Sequence, residues 1–415
     1  VIDLSQQEPE AVLNLVLTQL EQGDFQQRWE ISKILPDLGT LAIEPLLNIL
    51  QDQTADVEMR WFVARILGQF KSELVIEPLV NLLKTAKIEA TEDELSLQEI
   101  TAITLAGLGN SAIAPLTELL AQEDSKRLAT VALSQIRHSE TINPLLTIVN
   151  DSNPEIRAIA IEALGSFHDP KVIPVLLEAL NDPVANVRKE AVIGLGVRLD
   201  LLETINLVEK LKPLLWDIRP EVCQQTQLAL ARLKTDEAVT ALFEQVQSPS
   251  VPLSLKIDGI RSLGWIETPK SLNHLDEILL SFHPEFNPNT PPITAVEMTL
   301  IQEIIQGIGR IETIELREQA TQILINLINR NHPAISDPKI KQLIALGLGK
   351  LRLISALDPL IQLLADPQDS VRLHCISALK QIGSEETYQY LQKLLNQENI
   401  NPDIKQGILK ALSEW

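Results

Sequence analysis

The stretch Thr141–Gly196 contains the same pattern twice, and self-similarity at roughly 30 residues restricts a chain to stacked supersecondary units. Each copy opens on a short apolar run with proline, Pro144-Leu145-Leu146 and then Pro174-Val175-Leu176-Leu177. A turn follows, Asp151-Ser152-Asn153-Pro154 and then Asp182-Pro183. An apolar residue and an arginine come next, Ile156-Arg157 and Val187-Arg188. Each copy closes on glycine, in Ala163-Leu164-Gly165 and Gly194-Leu195-Gly196. Apolar residues recur at intervals of three and four in both segments of each copy, the period of a helix with one apolar face. Proline at a first helical position forfeits no hydrogen bond. Glycine after the second segment suits a helix end or a close helix contact. Two short helices cannot bury their own apolar faces, whereas a row of such pairs buries them in one continuous core.

This pattern resembles the HEAT repeat, and especially the HEAT-like repeat of the phycobilisome lyases. The residues that carry the resemblance are Pro144, Leu145, Asp151, Arg157, Ala160, Ala163 and Gly165, matched by Pro174, Leu176, Asp182, Arg188, Ala191 and Gly196. A third copy runs from Pro359-Leu360 through Asp366, Arg372 and Ala378 to Gly383. The resemblance implies an all-α, right-handed α-solenoid of roughly twelve helix pairs. It also implies a ladder of ion pairs between turns, because aspartate precedes arginine by six residues in all three copies. The arginine-bearing helix of each pair is then expected on the concave side.

The rest of the chain fits this scheme with varying fidelity. Ala11–Leu20 and Gln26–Leu38 read as a first pair, and Pro45–Leu50 with Glu58–Gln69 as a second. A third unit begins at Pro78, and its turn, Lys87–Glu99, reads as a swollen acidic loop feeding the helix Ile100–Leu108. Beyond Gly196 the register drifts, with looser pairs at Leu207–Leu215 and Pro220–Leu233, then Val239–Val246 and Leu255–Gly264. Four prolines in Ser281–Ala295 forbid a helix there, so this segment is expected as an insertion loop. The domain expectation is one solenoid over residues 1–415 carrying that loop.

Composition narrows the function. Aromatics make up 3% of the chain, so the core is built of Leu, Ile, Val and Ala. A net charge of −21 opposes nucleic-acid binding, where affinity comes from Lys and Arg releasing counterions. The two cysteines, Cys223 and Cys375, support no disulfide framework, and Cys375 takes the small core slot of Ala160 and Ala191. No apolar run is long enough for a membrane span. The sequence begins at Val1 instead of methionine and shows no secretory leader. A cytoplasmic location is therefore expected.

Signs of catalysis are weak. None of His138, His168, His274, His283, His332 and His374 precedes a glutamate, which argues against the repeated His-Glu pairs of the di-iron HEAT-like hydroxylases. No zinc-binding His-Glu-x-x-His and no phosphate-binding glycine loop is present. The Gly-Leu-Gly triplets at 107–109, 194–196 and 347–349 end helices and read as packing glycines. The expected function is a non-catalytic scaffold or adaptor that binds a partner protein, without a cofactor. The family resemblance implies an alternative, a phycobilin lyase or chaperone acting on a tetrapyrrole-bearing phycobiliprotein.

One surface stands out. Counted from the arginine position, the residues three, six and seven further on face the core, and those one, two and five further on face away from it. In the first two units the latter are Trp29, Glu30 and Lys33, then Trp61, Phe62 and Arg65. Trp and Arg are enriched where protein partners bind most strongly. Trp29, Lys33, Trp61, Phe62 and Arg65 are accordingly expected to bind the partner.

Overall fold

A computed structural model describes residues 9–85, 90–282, 292–397 and 400–415. Every regular element among them is helical, and the helices follow one another as twelve pairs. The chain divides into two compact units, Val1–Leu195 and Gly196–Trp415. Each contains six pairs, arranged as a back row and a front row, the front row carrying the arginine positions.

In the first unit the front row consists of Phe25–Ile34, Val57–Leu67, Glu92–Gly107, Glu123–Gln135, Pro154–Gly165 and Ala185–Leu195, each packed on the next. Local sequence explains where these helices start. Asn153 accepts from the Glu155 N–H, and Pro154, next to it, has no N–H to strand. Asp24 and Gln27 form a reciprocal capping box, as do Thr91 and Glu94. The acidic stretch after Thr91 is therefore the first two turns of a helix and not a loop. Its three leading carboxylates, Glu92, Asp93 and Glu94, sit where the helix dipole favours them. The expected swollen turn is shorter than its composition suggested, and its residues 87–89 lie outside the described residues.

Back-row helices start earlier than their prolines indicate. A short 3-10 turn leads into Ile142–Leu146 and Ile173–Ala179, so Pro144 and Pro174 occupy the third and second positions. Both fall within the first turn, where a missing N–H is tolerated.

The core lies between the two rows. Leu145, Ala160, Leu164, Leu176, Ala191 and Leu195 are fully enclosed, each at 0% exposure, and Cys375 holds the same position in the second unit. Glycine sets the front-row spacing where helices approach most closely. A Cβ on Gly165 would lie 2.9 Å from the Gly194 Cα, and one on Gly309 would lie 2.6 Å from the Gly347 Cα. The triplet at 107–109 behaves differently. A Cβ on Gly107 would meet nothing, and Gly109 is a turn residue at φ +72°, a conformation that suits glycine. Its expected packing role is thus replaced by a role in chain reversal.

In the second unit the front row is Pro220–Leu233, Leu253–Ile266, Ala295–Ile308, Pro338–Leu351, Asp369–Ile382 and Pro402–Ser413. The helices flanking the expected insertion end at Ser281 and begin at Ala295. Its central residues, 283–291, lie outside the described residues.

Candidate interaction surfaces

The aspartate and the arginine of the repeat are joined in two directions. Within a repeat, the Arg157 Nη1 donates to the Asp151 carbonyl at 2.8 Å, and the Arg188 Nη1 donates to the Asp182 carbonyl at 2.7 Å. Between repeats, the Arg157 guanidinium grips the Asp182 carboxylate through two bonds, at 2.8 and 3.0 Å. Lysine serves elsewhere: Lys126 reaches Asp151 at 3.0 Å, and Lys341 reaches Asp366. Arg28 begins the ladder, contacting Asp56 at 2.7 Å and Glu58 at 2.6 Å. Burial alone would raise the Asp182 carboxyl, but the Arg157 guanidinium and the Val184 N–H more than offset it and hold it below the ordinary aspartate value. This ladder is structural, as the sequence pattern implies.

Beside the ladder, in the first unit, lies the aromatic cluster. The Arg65 guanidinium stands 4.3 Å from the Trp29 ring centre and 5.9 Å from that of Trp61, so one cation is held by two indole faces. Both indoles are half-buried and keep part of their surface in water. Lys33 is exposed and pairs with Glu30 at 3.0 Å. Phe62 is different: it is 0% exposed, and its expected outward orientation is corrected. Phe25 covers it edge-on at 5.2 Å and also stacks on Trp29 at 6.3 Å. Phe62 thus acts as a buttress beneath the surface, and Phe25, 53% exposed, takes its place at the edge of the patch. Counting along one helix could not find Phe25, because it precedes the arginine position.

The second unit carries a groove of about 900 Å³ on its front face, lined by Pro220–Leu233, Leu253–Ile266, Ala295–Ile308 and the residues just beyond their ends. Here the arginine position holds Cys223, six residues after Asp217, and its thiol contacts the Asp217 carbonyl at 3.2 Å. Burial pushes this thiol up, and it pushes that of Cys375 up to about 12, so neither is a ready thiolate at neutral pH. A buried amide pair ties the repeats together instead. The Gln227 Nε2 donates to the Gln245 Oε1 at 2.6 Å and to the Leu255 carbonyl at 2.8 Å. The Gln245 Nε2 in turn donates to the Leu215 carbonyl at 2.5 Å.

Polar and aromatic side chains line the groove above this pair. The Trp265 ring is 56% exposed, with the Lys234 ammonium 5.3 Å from its centre. Arg261 forms a two-pronged bond to Glu303 at 2.9 and 2.8 Å, and Gln224 donates to Asp258 at 2.9 Å. Burial would raise Glu267, but the Thr313 hydroxyl and the backbone N–H groups of Thr313 and Glu312 hold it below the usual carboxylate range. The sequence reading missed this groove, although a signal existed. Gln224, Leu228 and Ala231 form a stripe on one helix, and Asp258, Ser262 and Trp265 repeat its spacing on the next. Continuing the outward count by one helical turn reaches Trp265.

Two rows of paired helices, tied by ladders between successive turns, define an α-solenoid. Residues 113–196 and 333–413 match the family model for HEAT repeats, and those segments carry HEAT repeats. Its fold is shared with importin beta, which aligns at TM-score 0.54 and 14% identity over 97% of this chain and 64% of that one. An engineered protein aligns at TM-score 0.35 and 18% identity, covering 89% of this chain and 98% of its own. The complex of CpcE and CpcF of phycocyanin lyase from Nostoc aligns at TM-score 0.30 and 18% identity, covering 58% of this chain and 95% of its own. Scores this low carry no argument about function. No curated protein matches the chain. Among the described residues no helix is long and apolar enough to cross a membrane.

Proposed function

We propose that this chain is a protein-interaction scaffold or adaptor that binds its partner along the front-row faces. The observation that carries this reading is the Trp29–Arg65–Trp61 sandwich. Aromatic residues are 3% of the chain, yet two tryptophans, an arginine and the exposed Phe25 meet on one patch of the ladder-bearing face. Such groups supply much of the binding energy where partners meet, since they bury a large area with little loss of side-chain freedom. Helix pairing fixes the patch in advance, which lowers the ordering cost of association.

The double variant Trp29→Ala/Trp61→Ala tests the reading. Proteins captured from the source cell by the immobilised full chain are compared for the native and variant forms, and the helical signal of both is recorded. The expected result is an unchanged helical signal with selective loss of a captured protein, by about tenfold or more. Equal capture by a folded variant would sink this assignment. Co-expression with a bilin is expected to leave the purified chain colourless. A coloured adduct would instead favour the phycobilin reading that the repeat type suggests.

A further inference from the structure

The groove of the second unit carries a charge unlike that of the chain around it. The whole chain has a net charge of −21. Within the groove, the carboxylates of Asp258, Glu267 and Glu303 are each engaged by Gln224, Arg261, Thr313 or backbone N–H groups. Among the described residues, Arg232 and Lys234 form no ion pair, and Arg310 reaches only the Gln306 amide, at 3.2 Å. Glu312 is the remaining carboxylate of the lining. A second hollow of about 660 Å³ shares Arg310 and Glu312 with the groove and adds Arg317, Lys350 and Arg352. Arg317 donates there to the Glu312 carbonyl at 3.3 Å. The strip thus holds seven cations against four carboxylates, a local excess of positive charge in a chain whose net charge is −21. Part of this charge also complements helix C-termini: Lys234 and Arg352 cap the helices Pro220–Leu233 and Pro338–Leu351. The Lys234 ammonium lies over the Trp265 ring in the groove, and Arg352 lines the second hollow.

We propose that this strip binds an extended acidic segment of a partner protein, with apolar side chains between its carboxylates. The proposal rests on the scaffold reading and deepens it by naming the partner chemistry. The cations supply the charge complementarity. Trp265 and the exposed Leu228 offer apolar surface between them, and the Gln224, Gln225 and Gln306 amides match the donors and acceptors of an extended main chain. A short acidic segment is favoured over a nucleic acid for a physical reason. Ionic fields fade over about 8 Å at physiological salt, so a segment confined to the strip escapes the surrounding negative charge. A uniformly charged phosphate backbone running beyond it does not.

The probe is a fluorescein-labelled dodecapeptide of alternating aspartate and leucine about a central proline, titrated into the full chain and followed by anisotropy. A second peptide has asparagine for every aspartate. Saturable binding of the first peptide alone is expected, weakening at least about tenfold between 0.05 and 0.5 M NaCl. Arg232→Glu/Arg310→Glu is expected to weaken it about tenfold or more, and Trp265→Ala several-fold, with the helical signal of each variant retained. Binding of both peptides alike, or equal binding by the folded charge-reversal variant, overturns the proposal. So does a twelve-nucleotide oligothymidylate that binds more tightly and is lost in the same variant. The variant Trp29→Ala/Trp61→Ala is expected to bind the peptide normally. Absence of peptide binding alongside intact Trp29-dependent capture therefore removes this inference and leaves the scaffold reading standing.

Discussion

Around Asp151 and Asp182, charge ties one turn to the next: Arg157 anchors to its own repeat's carbonyl and grips the following aspartate. Around Asp217 and Leu255 the same work is divided. Cys223 keeps the contact to the Asp217 carbonyl, while the Gln227–Gln245 pair supplies the lateral tie from inside the stack. The anchoring contact is thus common to both regions and the lateral tie is not. A guanidinium spends its charge on the neighbouring turn at the rim of the stack, whereas buried amides leave the front face to carry other groups. The repeat that lost its arginine is also a wall of the groove.

This contrast can be broken where it is strongest. Gln227→Ala leaves the Gln245 Oε1 without its donor inside the core and the Leu255 carbonyl with only its helical bond. An orphaned buried acceptor costs about 1–3 kcal/mol, and the volume left by the amide adds to it. A loss of about 3 kcal/mol, read by denaturant unfolding of the full chain, is expected. A change below about 1 kcal/mol would show that the amide tie is dispensable.

Arg157→Ala is expected to cost less, about 1–3 kcal/mol, because its bonds lie at the edge of the stack and water replaces part of them. The pH dependence sharpens the point. The folded-state pKa of Asp182 is depressed relative to the unfolded chain, so its contribution is full above the ordinary aspartate value of about 3.9. It is lost as pH falls through the lower folded value. Unfolding measured across the acid range should show this loss in the native chain and a shallower one in Asp182→Asn. Superimposable acid limbs would rule out the Arg157–Asp182 tie as a contributor.

Cys223→Ala should have the smallest effect, about 1 kcal/mol or less, since a thiol is a weak donor and the residue is small. A larger loss would mean that the Asp217 contact carries more of the second unit than its chemistry suggests.

Much of the stack was legible because it obeys period and spacing: the aspartate–arginine interval, the alanines at the core, and the glycines at 165 and 194. The aromatic patch was legible in part. Trp29, Lys33, Trp61 and Arg65 were found by their helical positions, but Phe62 was placed on the wrong side because Phe25, from the preceding front-row helix, covers it. Burial of that kind depends on a neighbour in space that one helix's periodicity cannot report. The groove was hidden because Cys223 removed the arginine from which positions were counted. The buried amide pair joins residues 18 apart with no repeating pattern behind it.

On the proposed reading the front rows, and not the back rows, are the working faces. Side-chain footprinting of the full chain with a captured partner tests this most directly, comparing the oxidation of each residue with and without the partner. Protection of Phe25, Trp29 and Trp61, or of Trp265 and Leu228, with no change at back-row residues, is the predicted result. Protection concentrated on back-row helices such as Ile76–Lys84 or Arg317–Asn329, with the tryptophans still fully reactive, would contradict it.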